Sequence, residues 1–162
     1  MLFNLSWLAV VTTASALLAP VVVVVHLAIH AYFIGLKKGE PLFIAGVAAF
    51  GLALDHILFL AGVFAVDGAT ALAPLWLSCL WPVLATTFMH AFEGLQRHLA
   101  LAAVVGAIGG ALSYIAGTRL SDVAFADPMF GPALLAALWF VLMPLLLAVA
   151  NRVAVAGEAA RV

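Results

Sequence analysis

The sequence predicts an all-α integral membrane protein, folded as a polytopic bundle of transmembrane helices. Hydrophobic residues make up 68% of its 162 residues, and charged residues make up only 8%. A soluble domain carries roughly 25% charged residues, so this chain has too few charges to cover a water-exposed surface. The charges lie between long apolar segments, most of them close to the length of about 20 residues that a spanning helix needs. We therefore expect residues 1–162 to form a single membrane domain.

The first 36 residues allow two interpretations. The apolar run from Leu5 to Ile34 is too long for one straight span and short for two, at about 1.5 Å per residue. Pro20 lacks a backbone N–H and therefore fits the first turn of a new helix. We predict two short helices, Leu2 to Leu17 and Pro20 to Leu36, joined by a tight hairpin, which gives six helices in the chain. One kinked helix, which gives five, is the alternative.

Four later segments are bounded by charges, proline and glycine, and each is predicted to span the membrane. They run from Pro41 to Val66, from Ala73 to Phe92, from Leu99 to Gly117 and from Pro132 to Ala150. The loops between them are short, so no soluble catalytic domain fits in the chain. Any chemistry must take place within the bilayer or at its two faces.

The distribution of charge predicts the orientation. If the four later segments each span the membrane, five of the six Lys/Arg lie on one side: Lys37, Lys38, Arg97, Arg152 and Arg161. The other side contains Arg119, Asp67, Asp122 and Asp127. The positive-inside rule assigns the first side, with the C-terminus, to the cytoplasm.

Because the chain has no basic stripe, nucleic-acid binding is excluded as a function.

Ionisable residues inside the predicted spans are the candidate functional residues, because they are costly in lipid and usually face the interior of a bundle. They are His26, His30, Asp55, His56, His90 and Glu93. His26 and His30 are four residues apart and share one helix face. His90 and Glu93 are three residues apart and also share one helix face. Helix geometry places His30, His90 and Glu93 roughly 6 to 11 Å from the cytoplasmic ends of their helices.

Three imidazoles and one carboxylate at a similar depth predict a metal site. The expected ligands are His26, His30, His90 and Glu93, and the ion that suits them is zinc or iron. As an alternative, these side chains hydrogen-bond to one another. In that case Glu93 would meet Arg97, four residues later, at the membrane face.

Asp55 is the most deeply placed carboxylate in the sequence. It follows Lys38 by more than ten residues, and a carboxylate at that depth is either protonated or paired. Ser113 and Tyr114 lie at a similar depth and are expected to donate hydrogen bonds to it. Asp55, His90 and Tyr114 are the candidate catalytic residues, with Asp55 and Tyr114 binding a polar head group or relaying a proton. A purely structural tie between helices explains Asp55 equally well.

Small residues at intervals of four, Ala102, Gly106 and Gly110, form a ladder on one predicted helix. Such a ladder lets two helix backbones approach closely. We expect it to pack against another helix of the same chain, and the alternative is a partner helix or a homodimer interface.

Two stretches of the chain match a known pattern. The first is Leu72-Ala73-Pro74-Leu75-Trp76-Leu77, followed by Leu80-Trp81 and by Ala85-Thr86-Thr87 with His90. The second is Gly106-Ala107-Ile108-Gly109-Gly110, followed by Leu112-Ser113-Tyr114-Ile115-Ala116-Gly117 and Arg119. Together with Asp55, they resemble a family of small bacterial inner-membrane proteins catalogued as domain of unknown function 2878. The chain departs from the family pattern at Met89, where an Asn is common, and at Ala111, where a Pro is common.

The resemblance implies a location in the bacterial inner membrane and a role related to membrane lipids, because family members look like neighbours of genes for fatty-acid-modifying enzymes. The function that we favour is an embedded enzyme, or a partner of an enzyme, that acts on lipids or lipid-soluble compounds. A small proton-linked transporter is the second possibility, since intramembrane acids and histidines often mark ion pathways. A membrane assembly subunit without chemistry of its own is the third.

Overall fold

The computed structural model describes residues 1–66 and 72–159. It shows an all-α bundle, as predicted, in which three helices are long and apolar enough to cross a membrane: Glu40–Leu60, Leu99–Leu120 and Phe130–Gly157. Many large apolar side chains are exposed on the outside of the bundle, among them Val24, Leu42 and Ile108. Apolar surface of this extent suits lipid rather than water, and the chain is a membrane protein. Two of the charged residues that predict the orientation, Asp67 and Arg161, lie outside the described residues.

The N-terminal segment forms two helices, which confirms the hairpin and makes the five-helix alternative wrong. Helix α1 is Leu2–Thr13 and helix α2 is Leu18–Ile29. Ala14 between them has a left-handed conformation with φ 44°. The Ser15 hydroxyl accepts hydrogen bonds from the backbone N–H groups of residues 17 and 18, at 3.3 and 3.2 Å. Pro20 lies in the first turn of α2, where its missing N–H leaves no hydrogen bond unmade.

The end of α2 and the start of the next helix bring polar residues to one end of the bundle. Helix α2 continues as a π-helical turn, His30–Ile34. Gly35 and Gly39, with φ of 86° and 81°, then reverse the chain. Helix α3, Glu40–Leu60, starts immediately after this turn, with Pro41 in its first turn. His30 and Glu40 therefore lie on either side of one tight loop.

The predicted span from Ala73 to Phe92 is shorter in the structure, where the apolar helical stretch runs from Leu75 to Phe88 and is not among the three helices long enough to cross a membrane. The structure has a short helix α4, Leu75–Ser78, then helix α5, Leu80–Phe88, and then a turn that leads into a 3-10 helix, Glu93–Arg97. Side chains from elsewhere bind the carbonyls at the end of α5: Gln96 Nε2 donates to the Phe88 oxygen at 2.9 Å, and Lys37 Nζ donates to the Met89 oxygen at 2.7 Å. These tertiary contacts replace the hydrogen bonds of a continuing helix.

Two long helices complete the bundle. Helix α6 is Leu99–Leu120 and helix α7 is Phe130–Ala159. A Cβ atom at Gly106 would overlap the Met143 side chain, and a Cβ atom at Gly110 would overlap the Trp139 ring. Ala102 is fully buried in the same core. The small-residue ladder therefore packs α6 against α7 within the chain, and a homodimer through this ladder stays a prediction.

A small antiparallel sheet, which was not predicted, closes the opposite end of the bundle. Strand β1, Phe64–Val66, pairs with strand β2, Val123–Phe125, in a register that places Phe64 opposite Phe125. Tyr114 of α6 stacks on Phe64 with ring centroids 5.6 Å apart. The two loops at this end are thereby tied together by backbone hydrogen bonds and aromatic contacts.

Candidate functional site

A buried carboxylate, Glu40, lies at the centre of the candidate site. Its side chain has no solvent exposure, and its two oxygens face two imidazole rings. The distance from Glu40 Oε1 to His30 Nε2 is 2.8 Å, and the distance from Glu40 Oε2 to His90 Nε2 is 3.0 Å. The backbone N–H of Lys37 also donates to Glu40 Oε2, at 2.8 Å. A carboxylate at this depth requires such partners, because burying an unpaired charge is costly.

Three different parts of the chain supply the residues of this cluster. His30 begins the π-helical turn at the end of α2, Glu40 is the first residue of α3, and His90 lies in the turn after α5. The rings of His30 and His90 meet edge to face, with centroids 5.0 Å apart. The break after α5 therefore has a function in the fold, since it turns His90 towards the α2–α3 loop.

The cluster has the composition and spacing of a metal site. One ligand atom each from His30, Glu40 and His90 lies within 4.8 Å of the other two. Two ligand atoms that are each about 2.1 Å from one tetrahedral ion lie about 3.4 Å apart. Glu40 lies 2.8 and 3.0 Å from the two imidazole nitrogens, which are hydrogen-bond distances, so an ion would bind after these side chains move apart by a few tenths of an ångström. Two histidines and one carboxylate are a common ligand set for zinc and for non-haem iron.

The cluster is accessible from one side only. The side chains of His30 and Glu40 are 2% and 0% exposed, whereas that of His90 is 21% exposed. An ion held by the three residues would keep a coordination position for water or substrate, because three protein ligands do not complete its shell. The exposure of His90 places the opening of the site beside its ring.

His26, one of the four predicted ligands, has other partners. Its Nδ1 atom lies 2.9 Å from the Ser6 hydroxyl, and its Nε2 atom lies 3.0 Å from the Thr86 hydroxyl. Its ring stacks on His30 with centroids 6.4 Å apart, so it lies one turn further into the bundle. Both of its nitrogens are engaged, and His26 therefore supports the position of His30 rather than facing Glu40.

Glu93, the predicted carboxylate ligand, lies at the exposed edge of the site. Its carboxylate accepts a hydrogen bond from Lys37 Nζ at 2.9 Å, and the nearby ammonium holds the pKa of Glu93 below its usual value. The same ammonium donates to the backbone oxygen of Met89. Glu93 thus helps to tie the α2–α3 loop to the turn that contains His90, and the expected contact with Arg97 is replaced by the ion pair with Lys37.

Asp55 forms a second polar cluster, deep in the bundle. It has no solvent exposure. Its Oδ2 atom accepts hydrogen bonds from the Ser78 hydroxyl at 3.1 Å and from Trp81 Nε1 at 3.0 Å. Tyr114 lies close to Asp55, but the donors to Asp55 are Ser78 and Trp81, and the expected donor Ser113 makes no hydrogen bond to it among the described residues. Asp55 Oδ1 has no hydrogen-bond partner among the described residues.

The two clusters are too far apart to act on the same atom. Asp55 follows Glu40 by fifteen residues in one continuous helix, which separates them by about 22 Å along its axis. His90 lies against Glu40, whereas Tyr114 lies against Asp55. The candidate catalytic residues Asp55, His90 and Tyr114 are therefore divided between two places in the fold.

Sequence reasoning missed Glu40, Ser78 and Trp81. Glu40 follows Lys38 by two residues, at the charged boundary before the apolar segment, and it was not among the candidate residues. Its position immediately before Pro41 was an available signal, because proline and acidic residues both favour the first turn of a helix. Ser78 and Trp81 are three residues apart and share one helix face, but the packing of this face against Asp55 of α3 is a tertiary contact that the local sequence does not indicate.

The family assignment rests on a match over most of the chain. The family model described as protein of unknown function (DUF2878) matches residues 1–145. The chain belongs to this family. Comparison with curated proteins and with solved structures gives no match. The buried His30–Glu40–His90 cluster and the Asp55 cluster both lie within the matched residues.

Proposed function

We propose that this protein is a membrane-embedded metalloenzyme that acts on membrane lipids or lipid-soluble compounds. The observation that supports this most strongly is the convergence of His30, Glu40 and His90 at the end of three separate elements, with their ligand atoms within 4.8 Å of one another. A buried acid enclosed by two imidazoles is costly to maintain in a membrane helix bundle, and such groups usually have a function.

Zinc or iron at this position would supply a Lewis acid or a metal-activated water. The residues of the chain would hold the ion and exclude other ligands from the buried side. Since the described chain has no soluble domain, the substrate would have to reach the site from the bilayer or from the membrane face beside His90.

The test is the metal content of the purified protein, measured by mass spectrometry without added metal or chelator. We expect near-stoichiometric zinc or iron in the wild type, and loss of that metal in E40Q and in H90A. H56A is the matched control, because His56 bonds to the Leu52 oxygen, away from the cluster, and this variant should keep the metal. E93Q breaks the ion pair with Lys37 at the edge of the site and tests the ligand set predicted from the sequence.

A well-folded wild type without metal would contradict the proposal and leave a hydrogen-bonded His–Glu–His cluster. Loss of metal in E93Q but not in E40Q would instead support the ligand set predicted from the sequence. The two carboxylate variants therefore distinguish the two metal sites directly.

A proton-linked carrier is the second candidate function. The observation that favours it is the free Oδ1 atom of the fully buried Asp55, since buried carboxylates of membrane proteins often mark proton pathways. Proton-coupled flux in liposomes that is abolished by D55N, in a protein whose metal content is unchanged, would favour this function over the first.

We also propose that the protein lies in the bacterial inner membrane with its C-terminus in the cytoplasm. Lys37 and Arg97 lie beside Asn151 of α7, at the same end of the bundle as the metal cluster. The positive-inside rule places this end in the cytoplasm, and the metal centre would then open towards the inner leaflet.

A further inference from the structure

We propose that a polar pocket between the α2–α3 loop, the 3-10 helix Glu93–Arg97 and the end of α7 binds a phosphate ester through Lys37 and Arg97. A phospholipid head group and a water-soluble phosphate ester share this chemistry, and binding measurements can tell them apart. The role of the pocket rests on the proposed function, because a phosphate held there would place a lipid substrate beside His90. Phosphate binding itself requires neither metal nor catalysis, so it is measured separately.

The pocket lies at the basic end of the bundle. Its volume is about 350 Å³, far more than the roughly 10–15 Å³ that one water molecule needs. Three separate elements contribute to its mostly polar wall: Lys37 belongs to the α2–α3 loop, Gln96 and Arg97 to the 3-10 helix, and Asn151 to α7. The apolar run of α7 ends at Ala150, so Asn151 lies at the level where hydrocarbon gives way to lipid head groups.

The guanidinium of Arg97 faces this pocket without a fixed acceptor. On an α-helix, Glu93 would pair with Arg97 four residues later, but these residues form a 3-10 helix, in which residues three apart share a face. Glu93 binds Lys37 Nζ instead, at 2.9 Å. Among the described residues, the Arg97 side chain makes no hydrogen bond and no ion pair. Its N–H donors are therefore available to a ligand in the pocket.

The ammonium of Lys37 is held in the pocket wall by two hydrogen bonds. It donates to the Met89 backbone oxygen at 2.7 Å and to the Glu93 carboxylate at 2.9 Å. An ammonium has a third N–H, and the Lys37 side chain is 37% exposed, so a ligand can reach it. The backbone N–H of the same residue donates to Glu40. Lys37 therefore connects the pocket with the candidate metal cluster.

The charge of the pocket wall indicates the kind of ligand. Lys37 and Arg97 are cationic and Glu93 is anionic, which leaves one net positive charge on the wall. A phosphodiester carries one negative charge and would neutralise it. Arginine and lysine bind phosphate oxygens through charge-assisted hydrogen bonds, and asparagine and glutamine amides add neutral donors. Basic pockets between helices at the cytoplasmic side suit the head groups of anionic lipids.

The experiment measures ligand binding to the full chain in a non-ionic detergent by native mass spectrometry. Three probes are compared: dioleoylphosphatidylglycerol, dioleoylglycerol, which lacks the phosphate, and glycerophosphoglycerol, which is the phosphodiester without acyl chains. We expect the phospholipid to bind several-fold more tightly than dioleoylglycerol, because only the phospholipid presents phosphate oxygens. Competition by glycerophosphoglycerol at an equal concentration would identify a soluble phosphate ester as the ligand, and its failure to compete would identify a phospholipid.

Two pairs of variants test the pocket. R97Q should weaken phosphatidylglycerol binding about ten-fold, because it removes a hydrogen bond to a charged group. R152Q is its matched control, because Arg152 is exposed on the same end of α7 and is absent from the pocket wall. A154L fills the pocket without a change of charge and should weaken binding several-fold. A156L adds the same side chain at an exposed position outside the wall, and should bind as the wild type does.

Phosphatidylglycerol binding of wild-type strength in R97Q or in A154L would overturn the phosphate site. Equal losses in R97Q and R152Q, or equal binding of phosphatidylglycerol and dioleoylglycerol, would also overturn it. Metal content is measured on the same samples. Metal without phosphate-dependent binding would leave the metalloenzyme and remove the phosphate site. Phosphate-dependent binding without metal would support the phosphate site and remove the metalloenzyme.

Discussion

The two buried carboxylates have different partners, and this difference separates their roles. Glu40 contacts two imidazoles, which are good metal ligands in their neutral form. Asp55 accepts hydrogen bonds from a hydroxyl and an indole N–H, neither of which is a usual metal ligand. The environment of Glu40 therefore suits a bound cation, whereas that of Asp55 suits a structural tie or a proton-accepting group.

The hydrogen bonds that Asp55 accepts from Ser78 and Trp81 predict which Asp55 variants are more stable. D55A should be less stable than D55N, because alanine leaves the Ser78 hydroxyl and the Trp81 N–H without an acceptor, and each unpaired buried group costs about 1–3 kcal/mol. The amide oxygen of D55N can still accept both bonds. Thermal unfolding in detergent measures the difference, and S78A gives the contribution of one partner. Equal unfolding temperatures for D55A and D55N would show that this oxygen does not stabilise the bundle.

At the residue scale, the sequence allowed two of the three residues of the His30–Glu40–His90 cluster to be predicted. His30 and His90 were identified because histidines are rare in apolar helices, and helix geometry placed them at one depth. Glu40 was missed, because a carboxylate next to Lys37 and Lys38 has the appearance of a solvated boundary charge. Only the reversal of the chain at Gly35 and Gly39 turns it inwards.

At the scale of secondary structure, local sequence signals predicted helix boundaries correctly, except where contacts with distant residues determine the end of a helix. Pro20 marked the first turn of α2, and the N-terminal hairpin followed from it. The end of α5 at Phe88 had no comparable local signal, since Lys37 and Gln96 bind the carbonyls there from outside the helix. Strands β1 and β2 have three residues each, which is too short for an alternating pattern to be recognised.

Helix α7 begins with a side-chain cap whose contribution depends on pH. Asp127 Oδ1 accepts hydrogen bonds from the backbone N–H groups of Met129 and Phe130, at 2.8 and 2.7 Å. These bonds hold the pKa of Asp127 below its usual value of 3.8. A group with a lowered pKa stabilises the fold at pH values above its unfolded pKa, and this stabilisation is lost as the pH falls through the folded pKa.

We therefore expect D127A to lower the unfolding temperature by a few degrees at neutral pH. The difference from wild type should begin to shrink as the pH falls below 3.8 and should be lost once the pH is below the lowered pKa of the folded cap. D127N is the control, because asparagine caps helices about as well as aspartate and does not titrate. Unfolding temperatures in detergent across the pH range provide the measurement, and a D127A difference that does not change with pH would argue against the ionised cap.

At the scale of the whole molecule, the two ends of the bundle differ in charge and in structure. One end contains the His30–Glu40–His90 cluster together with Lys37, Arg97 and Asn151. The other end contains the two-stranded sheet and the Asp127 cap. Composition and charge spacing were sufficient to predict this division, because they depend on the order of segments along the chain and not on their detailed packing.

The division predicts which residues are reached from each side of the membrane. In a C79A background, which removes the one native thiol, we expect D122C to react with a membrane-impermeant maleimide in intact spheroplasts. N151C should react only after permeabilisation. Both positions are exposed, so labelling of both after permeabilisation is the internal control. The reverse pattern would place the basic end outside. The expected pattern would place the His30–Glu40–His90 cluster at the cytoplasmic leaflet, where a metal site would draw its ion and any water-soluble co-substrate from the cytosol.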